Sequence, residues 1–200
     1  KQQIKARNGK GFKSSQHSLT MNNVSENLLW RDFKALAPYE KWTTDITYIW
    51  VEDRWLYLAT VMDLYSRRIV GWALDESMTE ELVTAALDAA LAQRNIEPGL
   101  ILHSDRGVQY RAQKYIDHAV SKGMKLSMSR KGNCWDNAPM ESFFSRLKVE
   151  LIYAKNYQSI DEARSGIFEY IEIFYNRKRR HSANDNLSPV EFEENAALAA

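Results

Sequence analysis

The sequence of 200 residues has a single cysteine, Cys134, and no apolar run as long as a membrane-spanning helix. One cysteine excludes an internal disulfide and a cysteine-rich zinc module. A membrane helix needs an apolar run of about 18 residues, and a secretory leader needs a charged and then apolar start; neither pattern is present. We therefore expect a cytoplasmic protein with no membrane partner.

The composition, 44% hydrophobic and 12% aromatic, is sufficient for one good-sized core. The first residue is Lys1 rather than Met, which leads us to expect a fragment or a processed product. We predict a basic arm or linker over residues 1–38, a folded core over 39–182, and a tail over 183–200. The tail is expected to be turn-like around Pro189, with a frayed end.

The net charge of +1 hides a separation of charge along the chain. Residues 1–16 carry five cationic side chains and no acid, residues 75–97 are mostly acidic, and residues 176–181 form a second basic block. Basic ends around a mixed middle suit a nucleic-acid partner. Charge that only serves solubility is an equally open interpretation of this pattern alone.

The order of predicted elements indicates the fold class. Three strands with short joins come first, and two further strands then alternate with helices; the predicted strands are 45–51, 55–62, 67–74, 100–103 and 125–129. Two capping boxes, Ser77–Glu80 and Ser159–Glu162, mark helix starts, and Gly123 ends the helix before the last strand. The order β-β-β-α-β-α-β-α is that of the ribonuclease-H-like α/β fold, a mixed five-stranded sheet with three antiparallel strands and flanking helices.

One predicted helix has two distinct flanks at 100° per residue. The apolar flank contains Met140, Phe143, Phe144, Leu147 and Leu151. The polar stripe beside it contains Asn137, Glu141, Ser145 and Lys148. The helix is thus predicted to pack on the core with one carboxylate outward.

Three carboxylates are candidate catalytic residues. Asp45 is placed at the start of the first strand, Asp105 at the end of the fourth, and Glu141 on the polar stripe. The first and fourth strands are neighbours in the predicted fold, so the three acids can converge. Each acid taken alone is explained as well by a helix cap, a turn or a surface charge.

Two Asp and one Glu are hard oxygen ligands, which suit Mg²⁺ or Mn²⁺. Two such ions roughly 4 Å apart activate a water or a 3′-hydroxyl and stabilise the leaving oxygen at a phosphodiester. The candidate metal ligands are therefore Asp45, Asp105 and Glu141, with two ions in the active complex.

Six motifs stand out in the sequence: Thr44-Asp-Ile-Thr-Tyr48, His103-Ser-Asp-Arg-Gly-Val-Gln-Tyr110, Ser127-Met-Ser-Arg130, Gly132-Asn-Cys-Trp-Asp-Asn137, Glu141-Ser-Phe-Phe-Ser-Arg-Leu-Lys148 and Tyr175-Asn-Arg-Lys-Arg-Arg-His-Ser182. Together they resemble the catalytic subunit of bacterial insertion-sequence transposases of the IS-three family, which have retroviral-integrase-type cores. The resemblance covers about residues 28–193. The family pattern is Asp, Asp, and then Glu after 35 intervening residues; here 141 − 105 − 1 = 35.

The resemblance implies metal-dependent nicking at the 3′ ends of a mobile element and strand transfer of those ends into target DNA. It assigns DNA contact to Lys148. It also implies a dimer or larger assembly on DNA, a bacterial location at the nucleoid, and residues 1–38 as the remnant of an upstream DNA-binding region.

Other residues are candidates for DNA contact with competing explanations. Trp135 and Asn137 are expected to shape the mouth of the site or stack on a base, although an aromatic near a helix start often only packs. Arg177, Arg179 and Arg180 are expected along DNA phosphates. His103 is expected either to contact phosphate or metal, or to be a hydrogen-bonded histidine at a strand end.

Two alternative functions remain at this stage. A metal-dependent nuclease of the same fold would hydrolyse strands without joining them, and strand-transfer product from pre-cut ends would separate the two. A folded but inert DNA-binding relic of an element is the other, although all three carboxylates and Lys148 are present.

Overall fold

A computed structural model describes residues 23–199, which contain one mixed five-stranded sheet. The strands are β1 Lys41–Val51, β2 Arg54–Asp63, β3 Ile69–Asp75, β4 Ile101–Ser104 and β5 Lys125–Met128. Their order across the sheet is β3-β2-β1-β4-β5. The first three strands are antiparallel, and β4 and β5 run parallel to β1. The predicted fold class is confirmed.

The pairing of β1 determines where its polar residues lie. It pairs with β2 from Trp42 to Val51 but with β4 only from Lys41, opposite Ile101, to Thr43, opposite His103. The same register, continued for two residues, brings Asp45 level with Asp105. Asp45 is the fifth of eleven strand residues, so its predicted place at the start of the strand was wrong. Trp42 and Thr43, which precede Asp45, pair with β2 on one side and with β4 on the other. These partners are far away in the sequence, so the local sequence does not show that the strand begins before Asp45.

Helices cover both faces of the sheet. The helices are α1 Glu80–Gln93, α2 Gln113–Ser121, α3 Ala138–Leu147, α4 Ile160–Phe168 and α5 Pro189–Ala199. The first two pack on one face around Trp42, Val61 and Leu87, and the next two pack on the other around Leu58, Phe143 and Ile167. Helices α3 and α4 continue as π-helical turns, Lys148–Ile152 and Glu169–Tyr175, and short 3₁₀ turns cover Cys134–Asn137 and Ser182–Asn184.

The predicted helix starts were correct at one site and wrong at the other. Ser159 is the N-cap of α4 and accepts a hydrogen bond from the Glu162 N–H at 3.1 Å. Helix α1 begins after Thr79 instead of Ser77. The Ser77 N–H donates instead to the Asp75 carboxylate at 2.9 Å, which makes a turn at the end of β3.

The ends of the described chain lie against the core. Residues 27–31 reach the loop before α3, where Asn27 and Arg31 bind the buried carboxylate of Asp136. At the other end, Pro189–Ala199 form helix α5, so the turn predicted around Pro189 was wrong. Ser188 and Glu191 bond to each other's backbone N–H, a capping box that starts this helix with Pro189 in its first turn. The division at residues 38 and 182 stays a prediction, and residues 1–22 and 200 lie outside the described residues.

Candidate active site

The three predicted acids line one cleft at the edge of the sheet, with a volume of about 500 Å³. We call it the carboxylate cleft; it is lined by Asp45, Asp105, Arg106, Gly107, Ser129, Arg130, Lys131, Gly132, Asn133, Asn137 and Glu141. Asp45 comes from β1, Asp105 follows β4, and Glu141 lies in the first turn of α3. The predicted convergence of three separate segments on one cleft is therefore present in the fold.

Asn137 attaches the start of α3 to β1. The Thr43 hydroxyl donates to the Asn137 side-chain oxygen, and the Asn137 amide donates to the Thr44 carbonyl at 3.3 Å. Asn137, which the sequence pattern places on the polar stripe of the helix, is only 4% exposed, although it lines the carboxylate cleft. Burial of the Asn137 amide is favourable because it forms hydrogen bonds with two polar groups of β1. The same bonds fix the start of α3, so that Glu141, one turn later, lies on the side of the cleft.

Asp45 has the most perturbed carboxylate of the cleft. Burial raises its pKa to about 7, and the negative charges of Asp105 and Glu141 add to the rise. Hydrogen bonds from the Ile46 N–H, at 2.8 Å, and from Asn137 lower the pKa but do not cancel these effects. The three acids thus interact electrostatically, and Asp45 in particular would be stabilised in its ionised form by a nearby positive charge.

Asp105 is held by the turn that follows β4. Its Oδ1 accepts a hydrogen bond from the Gly107 N–H at 2.8 Å. A Cβ at position 107 would lie 2.9 Å from that same oxygen, so only glycine leaves the carboxylate in place. The Arg106 guanidinium donates to the Ser129 carbonyl at 2.7 Å and joins this turn to the loop after β5.

The donors of the cleft suit a hard cation, but they are not drawn together around one point. Within residues 23–199, no three His, Cys, Asp or Glu side chains stand close enough to hold one ion between them. Like charges that face one another favour separation.

Comparison with known proteins decides the family. A family model described as "Integrase core domain" matches residues 35–134, half of the chain, and a second model of the same description matches residues 141–196. This chain belongs to the integrase core domain family.

Two curated relatives place this integrase core domain near insertion-sequence proteins. It is 47% identical over 170 residues to "Transposase InsF for insertion sequence IS3A" of Escherichia coli (strain K12), which is 85% of this chain and 59% of the relative. It is 49% identical over 181 residues to "Insertion element IS600 uncharacterized 31 kDa protein" of Shigella sonnei, 90% of this chain and 65% of the relative. The resemblance to IS-three-family transposases is confirmed, and the chain spans about three fifths of the length of these relatives.

Solved structures support the fold. The HTLV-2 integrase catalytic core domain in complex with magnesium, in its dimeric form, aligns with a TM-score of 0.60 at 15% identity, over 79% of this chain and 98% of that one. A chain of the simian T-cell lymphotropic virus intasome in complex with PP2A regulatory subunit B56 gamma aligns with a TM-score of 0.67 at 16% identity, over 80% of this chain and 56% of that one. At such identities the likeness establishes the ribonuclease-H-like fold alone.

His103 of the integrase core is a buried, fully hydrogen-bonded histidine. Its two ring nitrogens lie 2.8 Å from the Ser127 hydroxyl and 3.1 Å from the Ser129 hydroxyl. Burial lowers the pKa of the ring to about 4, so it is neutral at pH 7. Of the two explanations for His103, the structure favours the histidine at a strand end over a phosphate or metal contact.

Lys148 and Trp135 lie outside the lining of the carboxylate cleft. The Lys148 ammonium sits over the ring of Tyr48, 4.6 Å from its centroid, near the far end of β1. Trp135 is 67% exposed, in the 3₁₀ turn before α3. Both stay predictions as DNA contacts: Trp135 offers a free aromatic face, and Lys148 lies seven residues beyond Glu141.

The three predicted arginines of the basic block have different surroundings. Arg177 is exposed. Arg179 binds the Glu150 carboxylate, with its Nη2 3.0 Å from Oε1. Arg180 is exposed and lines a second cavity together with Arg179. Their contact with DNA stays a prediction.

Cationic side chains on one wall of the carboxylate cleft were missed from the sequence. Arg106, Arg130 and Lys131 line the cleft beside the acids. Two of them are already bonded: Arg106 binds the Ser129 carbonyl, and Arg130 binds the Asp136 carboxylate at 2.9 Å. Lys131 is exposed. The run Ser129-Arg-Lys-Gly132 between β5 and α3 is the feature of the sequence that could have predicted these cations. Because β5 runs parallel to β4, the loop after β5 starts at the same sheet edge as Asp105.

Among the helices of residues 23–199, none has both the length and the apolar character that crossing a bilayer requires.

Proposed function

We propose that this integrase core domain is the catalytic part of a transposase that nicks the 3′ ends of a mobile DNA element and transfers those ends to target DNA. The observation that carries the proposal is that Asp45, Asp105 and Glu141 line one cleft, where burial and then the charges of the other two acids raise the pKa of Asp45. Relatives that share about half of the aligned residues are named transposases.

The carboxylate cleft suits Mg²⁺ or Mn²⁺. Asp45, Asp105 and Glu141 would hold one or two such ions, because all their donors are hard oxygens and because a cation relieves the repulsion that raises the pKa of Asp45. The related HTLV-2 integrase core is a complex with magnesium. The chemistry that such ions supply is activation of a water or a 3′-hydroxyl and neutralisation of the leaving oxygen.

The remaining residues of the cleft have supporting roles. Asn137 and Thr43 fix α3 on β1, which keeps the Glu141 carboxylate aimed at the cleft when DNA enters. Lys131 and Arg106 offer positive charge next to the acids, so a phosphate can approach a site that would otherwise repel it. Lys148, Trp135, Asn137, Arg177, Arg179 and Arg180 are the proposed DNA contacts.

The partners of this function are the element ends and target DNA. Two ends must be held together for transposition, so we propose a dimer or larger assembly on DNA. The HTLV-2 integrase core has a dimeric form. A bacterial protein with these substrates works at the nucleoid.

A joining assay with pre-cut ends tests the proposal. The purified chain is incubated with supercoiled plasmid and with duplexes that carry the terminal sequences of its own element and a recessed 3′-hydroxyl. We expect joined product with Mg²⁺ or Mn²⁺ and none with EDTA. Asp45→Asn, Asp105→Asn and Glu141→Gln should each lower the yield at least 100-fold, and Asp53→Asn, at an exposed turn, should not.

The products separate the proposal from its alternatives. Nicked plasmid without joined product would indicate a nuclease. Full joining by Asp105→Asn would contradict the assignment of the three carboxylates. Duplex binding without either product in any metal would indicate an inert relic.

A further inference from the structure

A second cavity lies on the other flank of α3, with a volume of about 590 Å³. We call it the arginine cavity; its polar walls include Ser142, Arg146, Arg67, Arg179, Arg180 and His181. Ser142 and Arg146, four residues apart on α3, face the arginine cavity, whereas Asn137 and Glu141, also four apart, face the carboxylate cleft. One helix of roughly 10 Å diameter thus separates the two sites.

The arginine cavity has an excess of positive charge. Four arginines line it, and none of its described lining residues is Asp or Glu. Within residues 23–199, Arg179 is the one arginine of the four that forms an ion pair, and its partner Glu150 lies outside the lining. Nearby Arg179 and Arg67 contribute, after burial, to lowering the pKa of His181 to about 4. The ring is therefore neutral at pH 7 and leaves the positive potential of the cavity to the arginines.

Two buried nitrogens at the arginine cavity have no hydrogen-bond partner within the described residues 23–199. Arg67 donates one hydrogen bond, from Nη2 to the Phe33 carbonyl at 3.3 Å, while its buried Nη1 has none. The Nε2 of His181 is likewise buried and unbonded. Arg67 also has a φ of 63°, an uncommon backbone conformation for a long side chain. A buried guanidinium N–H without an acceptor costs free energy, and an acceptor placed in the cavity would satisfy the Nη1 of Arg67. The Nε2 of His181 would donate to the same acceptor in the tautomer that carries its proton on Nε2.

We propose that the arginine cavity binds a phosphate group of the DNA backbone. Arginine forks match phosphate oxygens with paired hydrogen bonds, and the Ser142 hydroxyl adds a neutral donor. Small apolar residues Ala138 and Pro139 leave room at the start of α3. The major groove of DNA is roughly as wide as an α-helix. The phosphates on the two sides of a groove that crosses α3 can therefore reach the carboxylate cleft on one flank and the arginine cavity on the other. The proposal rests on the proposed function for the choice of DNA, and it adds Arg67, Arg146 and His181 to the contacts.

Duplex binding in EDTA tests the proposal without any catalytic step. The probe is a fluorescent 30-base-pair duplex of arbitrary sequence, followed by anisotropy between 50 and 200 mM salt. The cavity variant is Arg146→Gln with Arg180→Gln, two exposed side chains whose loss leaves the fold intact. The matched control is Lys122→Gln with Arg164→Gln, which removes the same charge from exposed positions outside both cavities.

We expect the cavity variant to bind the duplex about fivefold more weakly at 100 mM salt, and its plot of log affinity against log salt to be shallower by about 1. The control should change less than twofold. Equal affinity in the cavity variant and the control would overturn the proposal. Inorganic phosphate and a nucleoside monophosphate serve as competitors: if either binds tightly in the cavity while duplex affinity is unaffected by the variant, the occupant is a small phosphate compound and not DNA.

Failure of this proposal is distinguishable from failure of the proposed function. Asp105→Asn should bind the duplex normally in EDTA and fail only in joining. If the cavity variant binds like the control while the wild-type chain still joins ends, the proposal for the arginine cavity fails and the proposed function stands.

Discussion

Asp45 and Asp105 line one cleft from neighbouring segments, each two residues beyond the last parallel pair of β1 and β4, Thr43 with His103. The two carboxylates face the same cleft and repel each other. Their placement depends on the sheet rather than on either local sequence, since the short β4 ends one residue before Asp105 while β1 continues for six residues beyond Asp45.

Removal of the charge at Asp105 should lower the pKa of Asp45. Burial is the largest cause of its value of about 7, Asp105 comes next, and Glu141 contributes less. Asp105→Asn should therefore move the pKa of Asp45 further toward the ordinary value of about 3.9 than Glu141→Gln does, without reaching it. Carboxyl ¹³C NMR titration in EDTA measures both shifts, and an Asp45 pKa that is unchanged in Asp105→Asn would contradict the proximity of the two acids.

The raised pKa of Asp45 should make folding stability fall as pH rises. Between about pH 4 and pH 7 the carboxyl is protonated in the folded state and ionised in the unfolded state, so the folded state binds more protons there. Asp45→Asn removes this penalty and should raise the free energy of unfolding at pH 8 by up to about 4 kcal/mol, which corresponds to a pKa about 3 above the ordinary value. Denaturant unfolding in EDTA at pH 4, 6 and 8 should show the gain growing with pH. Asp53→Asn is the exposed control, and a gain that is the same at all three pH values would refute the linkage.

Asp136 should anchor residues 27–31 to the loop before α3. Its side chain is fully buried and bonds to Arg130, Arg31 and Asn27. Hydrogen bonds from Arg130 hold its pKa well below the usual range, so its contribution is present above about pH 4 and is lost as pH falls further. Asp136→Asn should cost about 2 kcal/mol at pH 7 and should flatten the acid limb of the stability profile. A loss no larger than that of Asp53→Asn would contradict this role.

Glu193 should attach α5 to the loop before β3 and to the end of α1. Its carboxylate binds Arg68 at 2.7 Å, Arg94 at 2.9 Å and the Ser66 hydroxyl at 2.7 Å, and the three charged side chains are mostly buried. Glu193→Gln leaves two arginines without their anion and should lower the free energy of unfolding by about 2 kcal/mol. Exposed Glu194, one residue later, is the matched control as Glu194→Gln. Equal unfolding free energies for the two variants would show that α5 is held by other contacts.

The sequence was informative where local pattern and packing agree. The apolar flank of α3 is buried as predicted at Met140, Phe143, Phe144 and Leu147. The three acids were found from local strand and helix patterns and from the family's spacing of 35 residues between Asp and Glu, although only Asp105 directly follows a strand. Helix α5 was missed although Ser188 and Glu191 carry the same capping pattern that was recognised at Ser159.

Other features depend on contacts between residues that are far apart in the sequence. The burial of Asn137 is set by Thr43, 94 residues earlier, and the start of α1 by a carboxylate turn at Asp75. The arginine cavity joins Arg67, Arg146 and Arg180 from three segments far apart in the chain. Only their surroundings distinguish these arginines from ordinary surface charge.

The central claim is that Asp45, Asp105 and Glu141 hold a divalent metal ion. Anomalous diffraction from crystals of the chain grown in millimolar Mn²⁺, with Asp105→Asn crystals as the control, tests it most directly. The account predicts a manganese peak contacted by carboxylate oxygens of Asp45 and Asp105, with Glu141 facing it, and no peak in the variant. Absence of a peak in the wild-type chain, with the three carboxylates pointing apart, would contradict it.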